Sequence, residues 1–160
     1  MIISTSTNIC AFKRDSQRNL SEFAVRECAK AGYTALDINL CEAMNPTSAL
    51  RGDLWEEYIL HLKEVAGECG ISFVQSHLPY YDVCACEDDD KKELMEELIR
   101  RCIIGSSMLG VRWAVTHPCV MADGNRRLEK EFNLEYFKKH LKTAKEWGVG
   151  LAIENEFSLT

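Results

Sequence analysis

The chain has 160 residues, 46% hydrophobic and 28% charged, enough for one ordinary domain with a substantial core. Its net charge of −6 argues against broad nucleic-acid affinity, because gripping phosphates needs clustered Lys and Arg. No apolar run approaches the roughly 20 residues of a membrane span, and the opening MIISTSTNIC is too short and polar for a secretory leader, so a cytoplasmic location and no membrane partner are expected.

That opening reads instead as a first strand over residues 2–6. A first helix follows over 20–31, with Leu20, Phe23, Ala24, Cys28 and Ala31 on one face and Asn19 or Ser21 as its cap. Strand two covers 34–38, and Asn45-Pro46 marks a turn after it. Helix two runs over 53–69, capped by Asp53, with Trp55, Ile59, Leu62 and Ala66 as its buried stripe. Strand three is 71–76 and helix three 90–109, with Leu94, Leu98, Cys102 and Ser106 on one face and Met95, Ile99 and Ile103 widening it. Strand four is 111–116. Helix four is expected over 133–147, with Leu134, Phe137, Leu141 and Ala144 facing the core, and strand five is 149–153. His61 and His140 read as surface groups, and Trp113 and Trp147 as packing residues.

Four glycines punctuate this series. Gly32, Gly70, Gly110 and Gly148 are spaced 38, 40 and 38 residues apart, and each sits between a helical pattern and a short apolar run. A fixed period of this size signals one supersecondary unit used repeatedly. The unit is helix, glycine stop, buried strand, functional loop. Strands alternating with helices pair in parallel through right-handed crossovers. The expected fold is therefore α/β of the (β/α) TIM-barrel type, whose active site lies at the strands' C-terminal ends. A complete eightfold barrel takes about 250 residues. This sequence supplies five strands and four helices, then stops at IENEFSLT. The expectation is a single partial (β/α)8 barrel domain over residues 1–160, truncated after strand five, with a complete small open α/β domain as the alternative. A bare parallel-sheet edge invites association, so a homo-oligomer is expected.

The eight cysteines read as reduced thiols, since no leader or dense cysteine framework accompanies them. Cys10, Cys41, Cys84, Cys86 and Cys119 fall in strand-to-helix loops, while Cys28, Cys69 and Cys102 fit helix core faces.

His77, His117 and Glu154 end strands three, four and five. Neighbouring strands lie about 4.8 Å apart, so three inward side chains at these positions can meet around one ion. Two imidazoles and a carboxylate suit zinc, manganese, iron or cobalt better than calcium. One detail opposes convergence. Both histidines lie seven residues after their glycine, but Glu154 lies six after. Strict alternation would turn Glu154 to the opposite face and bring Asn155 inward. A bulge or a one-residue difference in the preceding turn repairs this.

The segments SHLPY, THP and LAIENE, in this order, resemble the xylose-isomerase-like TIM barrels, a superfamily of sugar isomerases, sugar epimerases and endonuclease-IV-type enzymes. The resemblance covers the whole chain and the first five-eighths of the barrel. Its most specific piece, Ile153-Glu154-Asn155, is similar to the strand-five motif that carries a metal-binding Glu. It implies that Glu154 is a metal ligand and one of two acid/base glutamates. His77 and His117 match the histidines ending strands three and four, which bind zinc in the endonucleases and face substrate in many sugar enzymes. The family's remaining ligands, on strands six to eight, have no counterpart here, so the 160-residue piece alone is expected to be inactive.

The implied activity is that of a divalent-metal-dependent (Mn, Zn, Co, Fe or Mg) isomerase or epimerase acting on a small-molecule sugar or sugar phosphate. It moves a proton next to a carbonyl through an enediolate. Tyr80 and Tyr81 then pack on a sugar ring or simply cover the barrel rim, and Asp37, Asn39 and Asn155 are candidates to contact substrate, Asp37 and Asn39 by binding its hydroxyls or holding their loop. A zinc-dependent apurinic-site endonuclease and a non-catalytic sugar-binding barrel are the alternatives.

Overall fold

Each of the four spaced glycines ends a helix in the same way. Gly32, Gly70, Gly110 and Gly148 have φ of 91°, 67°, 81° and 68°, a left-handed conformation that costs other residues about 1–2 kcal/mol. In every case the next residue's N–H reaches back to a carbonyl five residues earlier: Tyr33 to Cys28, Ile71 to Ala66, Val111 to Ser106 and Val149 to Ala144. This is the Schellman arrangement, which satisfies carbonyls that a helix end would otherwise orphan. It also turns the chain directly into the next strand.

The computed structural model describes residues 3–13, 20–80, 86–120 and 125–154. Strands β1 (Ser4–Ser6), β2 (Ala35–Asn39), β3 (Ser72–His77), β4 (Trp113–Thr116) and β5 (Gly150–Ile153) alternate with helices α1 (Leu20–Lys30), α2 (Trp55–Glu68), α3 (Asp89–Met108) and α4 (Arg126–Glu146). The strands form one sheet in the order β1-β2-β3-β4-β5, and every neighbouring pair is parallel. Sequential parallel order is how a (β/α) barrel is laid down. Short 3-10 helices at Thr7–Lys13, Leu40–Met44 and Ala49–Arg51 decorate the loops after β1 and β2. Among the described residues no helix is long and apolar enough to cross a membrane.

The core lies between the sheet and the helices. Leu36 and Ile38 of β2 are fully buried against Ile59, Leu62 and Val65 of α2 and Leu98, Ile99 and Ile103 of α3. Each such side chain contributes about 1.5–3 kcal/mol on burial. The helix-two stripe is buried as expected, and so is the helix-three face except Leu94, which is only partly buried. A hydroxyl pair crosses the same layer: Ser76 Oγ lies 2.8 Å from Ser106 Oγ, which donates to the Cys102 carbonyl. Cys10, Cys28, Cys69 and Cys102 are free thiols.

Several local expectations are corrected. α2 starts at Trp55 with Leu54 in the cap position and no side-chain cap, so Asp53 does not cap it. α4 starts seven residues before the expected point, because Asn125 caps it by accepting the Leu128 N–H. Its buried stripe is Tyr136, His140 and Ala144, spaced four apart on one face. Leu134 and Leu141 are exposed instead, and His140 is a core residue rather than a surface one. Trp113 and Trp147 are both exposed, at 58% and 44%; Trp113 lies across Gly150 on the face opposite the helices.

Candidate functional site

Backbone register decides which side chains meet at the sheet's C-terminal edge. β3 pairs Phe73 with Leu36 but Gln75 with Asp37, so Val74 is an extra residue at a bulge. β4 begins three residues after its glycine and β5 two after, yet Trp113 pairs with Gly150. Arg112 is thus one additional residue in the turn before β4. The two insertions remove the six-against-seven offset. Both histidines gain one residue, by different means, and Glu154 needs none. Thr116 pairs with Ile153, and the Glu154 N–H donates to the Thr116 carbonyl at 2.9 Å, which sets Glu154 beside His117.

The side chains converge. His77 Nε2 is 3.5 Å from Glu154 Oε2, and His117 Nε2 is 3.7 Å from the same oxygen. One ligand atom from each residue lies within 4.8 Å of the others, and this is the one such group of His, Cys, Asp and Glu among the described residues. The imidazoles stack with centroids 6.1 Å apart. A tetrahedral ion with bonds of about 2.0–2.1 Å spaces its ligand atoms roughly 3.4 Å apart. The two distances to Glu154, 3.5 and 3.7 Å, are close to that spacing, and two imidazoles with a carboxylate are a donor set that suits zinc. Mixed nitrogen and oxygen donors also suit manganese, iron or cobalt.

The surroundings grade from dry to wet. The His117 side chain is 13% exposed, His77 24% and Glu154 56%. Tyr80 stands edge-on to His117 at 5.4 Å and forms an aromatic wall beside the group. Behind His77 lies Asp37, 7% exposed, with Oδ2 at 2.7 Å from His77 Nδ1. Asp37 is the main reason that the His77 imidazole is held above its ordinary pKa, against the opposing cost of partial burial, with Glu154 adding to the rise.

The remaining residues named from sequence are distributed as follows. Asn39 pairs in register with His77. Its Oδ1 accepts the Cys41 N–H, and its own N–H donates to Thr7 Oγ1, so that oxygen caps the local turn. Asn155, Tyr81 and Cys84 lie outside the described residues. Cys41 Sγ donates to the Leu78 carbonyl and Cys86 Sγ to that of Asp88.

Two residues make contacts that the sequence does not reveal. Glu42 is buried just beyond β2. Its Oε2 accepts both the N–H and the hydroxyl of Ser21, and its Oε1 accepts the Tyr58 hydroxyl. Ser21 is therefore a donor inside α1 rather than its cap, and Glu42 supplies the cap from a distance. Burial raises the Glu42 pKa, opposed by those hydrogen bonds. The other residue is Asp37, whose contact is with His77. An acidic residue inside the apolar run ALDIN was the available signal for it.

No family model matches the sequence, and no curated protein does. Solved structures do match. A D-tagatose 3-epimerase-like protein superposes with a TM-score of 0.70 at 19% identity, covering 99% of this chain and 54% of that one. A structure of the IOLI protein with a bound zinc atom gives 0.62 at 15% identity, covering 97% and 51%. A sugar phosphate isomerase/epimerase from Parabacteroides distasonis gives 0.58 at 17% identity, covering 97% and 51%. The chain spans about half the length of these structures, and its fold matches about half of each.

Proposed function

We propose that this chain supplies one wall of a divalent-metal-dependent sugar or sugar phosphate isomerase or epimerase, as a single partial barrel domain. The observation that carries the reading is the meeting of His77, His117 and Glu154 within 4.8 Å at the C-terminal ends of three adjacent strands, where barrel enzymes do their chemistry. The epimerases and isomerases among the similar structures favour a sugar over a nucleic acid, as does the net charge of −6.

In this reading Glu154, His77 and His117 hold the ion, and the histidines also border the substrate. A divalent cation there supplies polarisation of a sugar carbonyl and its neighbouring hydroxyl. Glu154 has a second role. Its side chain is more than half exposed, so a carboxylate oxygen stays within reach of bound substrate. It takes the proton from the carbon beside the carbonyl, leaving an enediolate, and for isomerisation returns it to the former carbonyl carbon while the neighbouring hydroxyl proton passes to the former carbonyl oxygen. Epimerisation needs a second acid/base group on the opposite side of the substrate. Tyr80 offers its ring as an apolar wall for the sugar. Asn39, in register with His77, borders the substrate from β2.

The test is sugar binding read without turnover. The chain is loaded with Mn2+, and proton relaxation of D-fructose or its phosphate is followed by NMR. Faster relaxation at the carbons flanking the carbonyl, lost in Glu154→Ala, is the expected result. No effect with any ketose, alongside binding of DNA containing an abasic site, would overturn the sugar reading.

A further inference from the structure

Asp37 is in an unusual position for a carboxylate. It is 7% exposed, and its Oδ1 is buried without a hydrogen-bond partner among the described residues. Burying a carboxylate is unfavourable unless charges or donors compensate it. The compensation available is His77, whose Nδ1 lies 2.7 Å from Oδ2. The contact is short but bent, since Nδ1 makes no hydrogen bond of good angle. A purely structural aspartate collects backbone or hydroxyl donors, as Glu42 does with Ser21 and Tyr58. Asp37 faces one imidazole nitrogen.

Its position follows from the backbone. Asp37 and Asn39 lie two apart on β2, so they share a face. Asn39 pairs with His77 and Asp37 with Gln75, so the Val74 bulge sets which β3 residues lie opposite this face. Without that extra residue, Asp37 would oppose a different residue. The bulge thus aligns the carboxylate with the back of the ring while Nε2 points at Glu154, 3.5 Å away.

We propose that Asp37 is a positioning residue that keeps the His77 proton on Nδ1, so that the Nε2 lone pair faces Glu154 and His117. A free neutral imidazole carries its proton on either nitrogen, and the hydrogen bond at one nitrogen decides which is left to bind a ligand. A carboxylate behind a ligating histidine fixes both ring orientation and tautomer, and its loss costs about 10–100-fold in metal affinity. Asp37 acts through His77 and touches neither ion nor sugar. The inference rests on the proposed metal site.

Two readouts separate the two ideas. Imidazole 15N shifts of His77 are recorded in the metal-free chain at about pH 9, where the ring is neutral, for the wild type, Asp37→Asn and Asp37→Ala. Zinc affinity is measured by calorimetry on the same three proteins, with circular dichroism confirming the fold. The expected result is an Nδ1–H tautomer in the wild type and a shift toward Nε2–H in Asp37→Ala. Zinc affinity should fall about 10–100-fold in Asp37→Ala, with Asp37→Asn, which keeps an acceptor oxygen, falling less. Wild type that binds no zinc contradicts the proposed function, and the tautomer alone then decides the role of Asp37. A His77 tautomer identical in wild type and Asp37→Ala overturns the inference, even if zinc binds.

Discussion

His117 and Glu154 come together through backbone register, at 3.7 Å between Nε2 and Oε2. Residue Thr116 pairs with Ile153, so the next residue on each strand is side by side. The extra turn residue Arg112 is what makes this so. Counting from the glycines alone, the two side chains would face opposite ways. The site's geometry is therefore set largely at the other end of the strands, where each one leaves its helix.

The same register places Gly150 beneath an aromatic ring. A Cβ at Gly150 would lie 2.5 Å from the Trp113 ring atoms, closer than packed atoms tolerate. Gly150→Ala should cost about 1–3 kcal/mol and shift Trp113 fluorescence as the ring is displaced. Adding Trp113→Ala should recover most of the loss, because the cost lies in that one contact. Thermal melts of the two single variants and the double check this. Additive losses would mean that the strain lies elsewhere.

Glu42 should behave as a structural anchor. Glu42→Ala leaves the Ser21 N–H and the Tyr58 hydroxyl buried without an acceptor, at a cost of about 2–4 kcal/mol. Glu42→Gln keeps an acceptor oxygen and should cost less. Urea denaturation measures both, and equal losses would contradict the hydrogen-bond account.

His140 predicts an acid weakness. Burial lowers its pKa from 6.5 to about 4, with Glu96 opposing and Lys139 adding to the fall. The folded state therefore resists a proton that the unfolded chain accepts. Its stabilising share is complete above pH 6.5 and is lost as pH falls through 6.5 toward 4, by about 3 kcal/mol in all. His140→Leu should flatten the stability profile across that window. A variant with the same slope as the wild type would show that other groups set it.

The repeat and the fold were legible because the glycine stops carry their own physics. A left-handed residue between a helix and an apolar run has few alternatives. Helix α2 and α3 faces were legible for a similar reason, since strong apolar periodicity leaves one buried side. α4 was not. Its first turns read RRLEKEF, with no apolar stripe to announce them, and Asn125 starts the helix through one cap. Its core side was misread because Leu134 and Leu141 outrank His140 in hydrophobicity, whereas packing against α3 buries Tyr136, His140 and Ala144. In the site, strand-end residues were visible as polar groups closing apolar runs. The contact of Asp37 with His77 was not, because it spans 40 residues and depends on a bulge that leaves no mark in composition.

His77, His117 and Glu154 are proposed to hold a divalent ion. The most direct measurement is metal content by ICP-MS on the purified chain after exposure to Zn, Mn, Co and Fe, beside a Glu154→Ala/His117→Ala variant. About one equivalent in the wild type, lost in a variant that still folds by circular dichroism, is the predicted result. No metal in the wild type, or the same content in both proteins, would contradict it.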